Sequence, residues 1–194
     1  MKKWIAIVGS PRKKRNTDLL VDILINELQD EDNIVDKFYL AEKNITTCNG
    51  CEYCIKSGKC LINDDVTDII NKIQESDGVI LASPSHNYNI TAQMKGFIDR
   101  TFCLNDYSNG WSSRVKPGKK GIIIGVCAGS SNEAMGYTIE GMNKTIEELG
   151  IEVIDRIEYY DTKNNPVSTN QNIRSYIKKR VTGYKGDITY EYRF

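Results

Sequence analysis

Trp4-Ile5-Ala6-Ile7-Val8-Gly9-Ser10-Pro11-Arg12-Lys13-Lys14-Arg15-Asn16-Thr17 is the stretch from which the rest of the chain can be read. An apolar run enters a Gly-Ser-Pro turn, and across Thr17 to Leu28 the residues Leu20, Ile23, Leu24 and Leu28 recur at helical spacing. The order is strand, turn, helix. It repeats outward as strand Ile34 to Leu40, a cysteine-bearing loop, helix Val66 to Gln74, strand Gly78 to Ala82 and helix Thr91 to Phe102. Strand Gly121 to Val126 follows, then a helix from about Glu133 to Leu149 halted by Gly150, and strand Ile151 to Tyr159. A last helix over about Asn172 to Val181 leads to an aromatic end, Tyr184, Tyr190, Tyr192 and Phe194, which reads as packing or a subunit contact.

Strands that are apolar throughout and separated by helices belong to a parallel sheet covered on both faces. Five such units predict an α/β, flavodoxin-like three-layer α/β/α sandwich with a five-stranded parallel sheet, as a single domain over residues 1–194 with a C-terminal helix and tail. Ligands in that architecture sit beyond the carboxyl ends of the strands at a topological switch point. The loops after the first, third and fourth strands are therefore the places to look.

Lys plus Arg and Asp plus Glu both number 26, so no global field draws the chain toward nucleic acid or anionic lipid. Any bound anion must be held locally. The apolar stretch before Gly9 is too short for a signal-peptide core, and no run approaches membrane-spanning length, so a cytoplasmic protein is expected. In a reducing compartment the six cysteines read as free thiols for metal or redox work rather than as a disulfide framework.

In the first loop, Ser10, Arg12, Asn16 and Thr17 precede or open a helix, where free N–H groups and the positive dipole end favour an anion. The loop lacks both the P-loop ending and the dinucleotide fingerprint, which points to a phosphate monoester. Two plainer readings stand beside it: Asn16 or Thr17 as a helix cap, and Arg12 to Arg15 as a solvated basic turn. After the third strand, Pro84-Ser85-His86-Asn87-Tyr88-Asn89 make a stiff wall for a flat heterocycle. After the fourth, Ala128, Gly129 and Ser130 are small enough for a ring to approach the backbone. His86, the only histidine, reads as a contact residue rather than a general acid. Leu104 to Gly118, with Tyr107 and Trp111, is long for a connection and reads as a lid, a subunit contact or simple packing.

Cys48-x2-Cys51-x2-Cys54-x5-Cys60 has metal-type spacing, since three thiolates two residues apart can wrap one face of a cluster and a fourth can close it. Tetrahedral zinc and a metal-free packed loop are the other readings. Cys103 and Cys127 have no paired spacing, and packing is their default reading.

Gly9-Ser10-Pro11-Arg12 with Asn16-Thr17, then Ser83-Pro84, Asn89-Ile90-Thr91-Ala92-Gln93-Met94-Lys95 and Asp99-Arg100, resemble the NADPH-dependent FMN reductase superfamily over about Lys3 to Leu149. Within it, the cysteine loop followed by Asp64-Asp65 resembles the iron-sulfur flavoproteins and their cluster-free relatives. The resemblance implies FMN, with its phosphate on Ser10, Arg12, Asn16 and Thr17, and its isoalloxazine against Pro84 to Asn89 and Ala128 to Ser130. It also implies a four-iron, four-sulfur cluster on Cys48, Cys51, Cys54 and Cys60. The family pattern usually has Tyr where this chain has His86.

The expectation is then an FMN-dependent oxidoreductase of the flavin or quinone reductase type. Electrons would pass from NAD(P)H or ferredoxin through FMN to a quinone, a small organic acceptor or an iron-sulfur centre. The rival is an iron-sulfur flavoprotein acting as an electron-transfer module without turnover of its own; a nucleotide- or phosphate-binding regulator without flavin is a third reading. A homodimer or higher homo-oligomer is expected, with no nucleic-acid or membrane partner.

Overall fold

Ile5 and Ile7 face one side of strand β1 (Lys2–Val8), Trp4, Ala6 and Val8 face the other, and all five are buried. Burial on both faces is why this run does not alternate with polar residues. The computed structural model describes residues 1–30 and 32–185, so the expectation for Tyr190, Tyr192 and Phe194 lies outside the described residues. Strands β1, β2 (Asn33–Tyr39), β3 (Gly78–Pro84), β6 (Lys120–Val126) and β7 (Glu152–Tyr159) form one parallel sheet in the order β2-β1-β3-β6-β7.

Helices α1 (Asn16–Leu28) and α7 (Ile173–Lys185) cover one face. Leu20, Val21 and Leu24 from α1 and Ile173, Ile177 and Val181 from α7 pack there with Ile80, Ile122 and Ile124 of the sheet. On the other face lie α3 (Asp65–Glu75), α4 (Ala92–Arg100) and α6 (Thr138–Glu148), with Ile69, Ile73, Met94, Phe97 and Met142 against Val79, Leu81 and Ile123. The three-layer α/β/α sandwich with its flavodoxin-like strand order is as expected. A buried ion pair fastens α7 to β7: Arg180 Nε donates to Asp155 at 2.7 Å and Nη1 to the Tyr176 hydroxyl at 2.6 Å.

The structure differs from the sequence reading at several points. The helix expected from about Glu133 to Leu149 is broken into α5 (Asn132–Met135) and α6. Gly136 makes the break by leaving the helical conformation at φ +56°, and glycine is required there because a Cβ would lie 2.1 Å from the Tyr88 carbonyl oxygen. The helix expected to reach Phe102 ends as α-helix at Arg100 and tightens into a 3-10 turn over Thr101–Leu104. The third strand runs two residues further, its last residue Pro84 opposite Val126. Within Leu104 to Gly118 a small hairpin forms from β4 (Asn105–Asp106) and β5 (Ser112–Ser113), with Phe102, Tyr107 and Trp111 in mutual ring contact beside it. The cysteine loop contains one short helix, α2 (Tyr53–Ser57).

Candidate functional site

The strand order changes direction between β1 and β3, so a crevice opens beyond their carboxyl ends. Gly9 leaves β1 by donating its N–H to Ala82 O at 2.8 Å, and its carbonyl accepts the Thr91 hydroxyl at 2.7 Å. Thr91 also caps α4, accepting from Met94 N. A Cβ at position 9 would come within 2.8 Å of Met94 Cβ, which is why glycine stands there. The first loop is thus pressed against the start of α4.

Ser10 is buried, and its Oγ accepts the Arg12 N–H at 3.2 Å. Lys14, at φ +54°, turns the chain so that its N–H donates to Asp18 at 2.6 Å. Burial pushes the Asp18 carboxyl up, but Lys37, the Lys14 amide and the Tyr39 hydroxyl together hold it below the usual carboxylate range. Lys13 pairs with Glu42 at 2.5 Å, whereas Arg12 stands exposed at the rim. No side chain caps α1, whose N-cap is Arg15, so neither Asn16 nor Thr17 is the cap that the plainer reading offered. Thr17 is buried in the first turn. Asn16 accepts the Val167 N–H at 2.9 Å, which ties the loop to the chain beyond β7.

The second loop turns tightly at its tip. His86 and Asn89 exchange both backbone hydrogen bonds at 2.8 and 3.2 Å, and Asn87 and Tyr88 take φ of +50° and +65°. His86, Asn87, Tyr88 and Asn89 all stand exposed at the rim, with Pro84 half-buried below them. Ser85 joins this loop to the next: its N–H donates to Val126 O at 2.7 Å and its hydroxyl to Ala134 O at 2.8 Å. A third tie comes from Tyr137 N–H to Tyr88 O, also 2.8 Å. In the third loop, Gly129 O accepts the Asp161 N–H at 2.7 Å, while Ala128 and Ser130 remain exposed.

The structure therefore brings residues 10–17, 84–89 and 128–130 to the carboxyl ends of three neighbouring strands and bonds the loops to their neighbours. It also gives positioning roles that the sequence reading did not assign to Thr91, Asp18 and Tyr137, and adds a fourth loop at 160–166. The turn-forming run Asp161 to Pro166 was the available signal for that loop. There the Tyr160 hydroxyl lies between Asn132, at 2.9 Å, and Glu158. Burial and the Glu158 carboxylate push its ionisation well above the usual tyrosine value.

Cys48 and Cys51 are exposed, Cys54 and Cys60 are half-buried, and all are free thiols. Burial raises the Cys54 thiol, and Cys60, Cys48 and Cys51 add to the effect, so the four share one electrostatic neighbourhood. Cys103, buried behind them, is pushed up to about 11 by burial and by Cys60 and Cys54. Among the described residues, however, no three Cys, His, Asp or Glu side chains converge as a metal-holding group. As placed, the four thiols are not a ligand set.

A family model for NADPH-dependent FMN reductases matches residues 2–163. An iron-sulfur flavoprotein of Archaeoglobus fulgidus is 36% identical over 149 residues, covering 77% of this chain and 64% of the relative. One from Methanocaldococcus jannaschii is 42% identical over 99 residues, covering 51% of each. The chain thus spans between half and just under two thirds of the length of these curated relatives. Among solved structures, an FMN-dependent NADH-azoreductase from Bacillus anthracis in complex with FMN superposes with a TM-score of 0.69 at 15% identity, over 94% of this chain and 99% of that one. At that identity the likeness concerns the fold.

Proposed function

The chain belongs to the NADPH-dependent FMN reductase family, and from that membership we propose that it binds FMN at the carboxyl edge of its sheet and works as an oxidoreductase. Electrons would come from NAD(P)H or ferredoxin and go to a quinone, another small organic acceptor or an iron-sulfur centre. The observation that carries this reading is the bonded set of three loops at the ends of β1, β3 and β6.

The residues present fit the group. The α1 N-terminus lacks a side-chain cap, Gly9 lets the loop press close to α4, and Arg12 supplies a cation for a phosphate dianion. In this reading Ser10, Arg12, Asn16 and Thr17 hold the phosphate, while Pro84, Ser85, His86, Asn87, Tyr88 and Asn89 with Ala128, Gly129 and Ser130 flank the ring. Bound FMN would supply the hydride and single-electron chemistry. The chain's own residues then bind and orient: Ser85 locks two walls together, Tyr137 steadies the Tyr88 turn, and His86 offers a hydrogen bond at the rim. The proposal places this single FMN-binding domain in the cytoplasm as a homo-oligomer; among the described residues no helix is long and apolar enough to cross a membrane.

The test is FMN uptake by the purified protein followed by steady-state NAD(P)H oxidation with a soluble quinone. Flavin binding with turnover supports an oxidoreductase. Flavin binding without turnover, but with electron exchange from reduced ferredoxin, favours the electron-transfer module. A colourless protein that takes up no FMN ends both readings. The names of the two curated relatives and the cysteine spacing support an iron-sulfur cluster on Cys48, Cys51, Cys54 and Cys60 as a second cofactor. Such a cluster would require the thiols to move from the positions described. Iron and acid-labile sulfide after anaerobic reconstitution, compared with a Cys51→Ser, Cys54→Ser variant, test it.

A further inference from the structure

Arg100, the last residue of α4, has a side chain that is 0% exposed. Its Nε donates to Cys60 Sγ at 3.0 Å. Nη1 donates to Thr46 O at 2.8 Å and to Asp64 Oδ2 at 2.9 Å, and Nη2 to Ile62 O at 2.8 Å. Thr46 lies before the first cysteine of the loop; Cys60, Ile62 and Asp64 are its last cysteine and the residues just after. A single guanidinium therefore grips both stems of the cysteine-bearing segment. Asp64 completes the closure by accepting the Thr46 N–H at 2.8 Å and, through its other oxygen, the Val66 N–H that starts α3 at 3.0 Å.

A buried cation is tolerated only when its charge is paired and its donors are used. Arg100 meets both conditions entirely with groups from the loop and the first turn of α3. Its planar fork reaches several acceptors at fixed angles, which a lysine ammonium cannot reproduce.

We infer that Arg100 is the positioning residue of the cysteine loop, closing its base and fixing Cys60 in the protein alone, so that the loop is folded before any metal reaches it. Cys60 is the anchored thiol; Cys48 and Cys51, both exposed, are the ones that move if a metal is bound.

Hydrogen exchange and tryptic cleavage at Lys56 and Lys59 test this on the full chain stripped of metal with a chelator. In metal-free wild type the Thr46 and Val66 amides should be protected and cleavage slow. In Arg100→Lys, protection over residues 44–66 should be lost and cleavage at Lys56 and Lys59 should speed up at least about tenfold, with FMN uptake retained. Asp64→Asn, which keeps the arginine, should give the same result in weaker form and stands in if Arg100→Lys does not fold. Cadmium alone, titrated by its thiolate absorbance, reports whether the thiols gather; Arg100→Lys should weaken its binding about tenfold although every cysteine remains. That last arm rests on the metal reading of the loop, whereas the exchange arm does not. Free exchange of the loop in metal-free wild type, with protection appearing only on addition of ferrous iron and sulfide, overturns the inference. So does an Arg100→Lys protein with wild-type protection and cadmium affinity.

Discussion

Arg12 stands exposed where the first loop leaves the crevice, while its neighbour Lys13 is already engaged by Glu42. A charge-assisted hydrogen bond to a phosphate contributes about 1.5–3 kcal/mol, so Arg12→Ala should weaken FMN binding roughly ten- to a hundredfold. Riboflavin binding should change less than about twofold, since it lacks the charged group that the substitution addresses. Equal losses for the two ligands, measured by fluorescence titration, would move the phosphate elsewhere. Asn16 is a less discriminating position, because its side chain also holds Val167, 151 residues away. That second role is invisible in a sequence, where a polar residue at a helix start looks local.

Asp18 carries a prediction about pH. Its carboxyl is held below the ordinary range in the folded chain, so the stability it contributes is fully present above the unfolded value and is lost as pH falls through the folded one. Asp18→Asn leaves Lys37 with the exposed Asp22 as its one carboxylate among the described residues and should destabilise the protein by about 3 kcal/mol at pH 7. Urea unfolding should show the difference from wild type shrinking below about pH 4. A constant difference down to pH 2 would mean that the substitution acts through packing instead. At His86 the expected effect is chemical: His86→Tyr should shift flavin potential or acceptor preference with FMN still bound, and no shift in either would leave His86 outside the site.

At the scale of elements, the three central strands were legible because burial on both faces leaves apolar runs such as Ile122-Ile123-Ile124, whereas the edge strands β2 and β7 carry charged residues at partly exposed positions and were legible from their place between helices. The break between α5 and α6 was not. Met135, Ile139, Met142 and Ile146 keep helical spacing straight across it, and the glycine there is required by a carbonyl from another loop, that of Tyr88. Gly136→Ala meets both an unfavourable φ and that oxygen. It should lose about 2 kcal/mol or more, lowering the melting temperature by roughly 4–8 °C, and should loosen the His86 to Asn89 turn. Calorimetry that finds an unchanged melting temperature would mean the two loops are not bolted as described. The cysteine loop was legible by its spacing only; that its stems close on Arg100 could not be read, because the arginine comes from a helix that begins 32 residues after the last cysteine of the loop.

For the whole molecule, α7 completes one of the two cores. Ile173, Ile177 and Val181 are buried there, each contributing about 1.5–3 kcal/mol, and Arg180 neutralises the buried Asp155. Removing residues 172–194 would forfeit an amount comparable with the whole stability of an ordinary domain and strand a carboxylate. The truncated chain should show no cooperative unfolding transition and should aggregate on expression; a soluble truncation with a sigmoidal urea curve would show that the sheet stands without that cover.

Helix α4 is where the two candidate sites meet mechanically. Thr91 at its start holds Gly9 of the first loop, and Arg100 at its end holds the cysteine loop. The nine residues Ala92–Arg100 make about two and a half turns at 3.6 residues each, which places the two attachments on roughly opposite sides of one short rod. One inserted residue would swing Arg100 by about 100° relative to Thr91 and push it about 1.5 Å further along. Natural length variation should therefore gather in the hairpin and in the cysteine segment itself, whereas the interval from Thr91 to Arg100 behaves like the tooth count of a gear, free to change its residues but not their number.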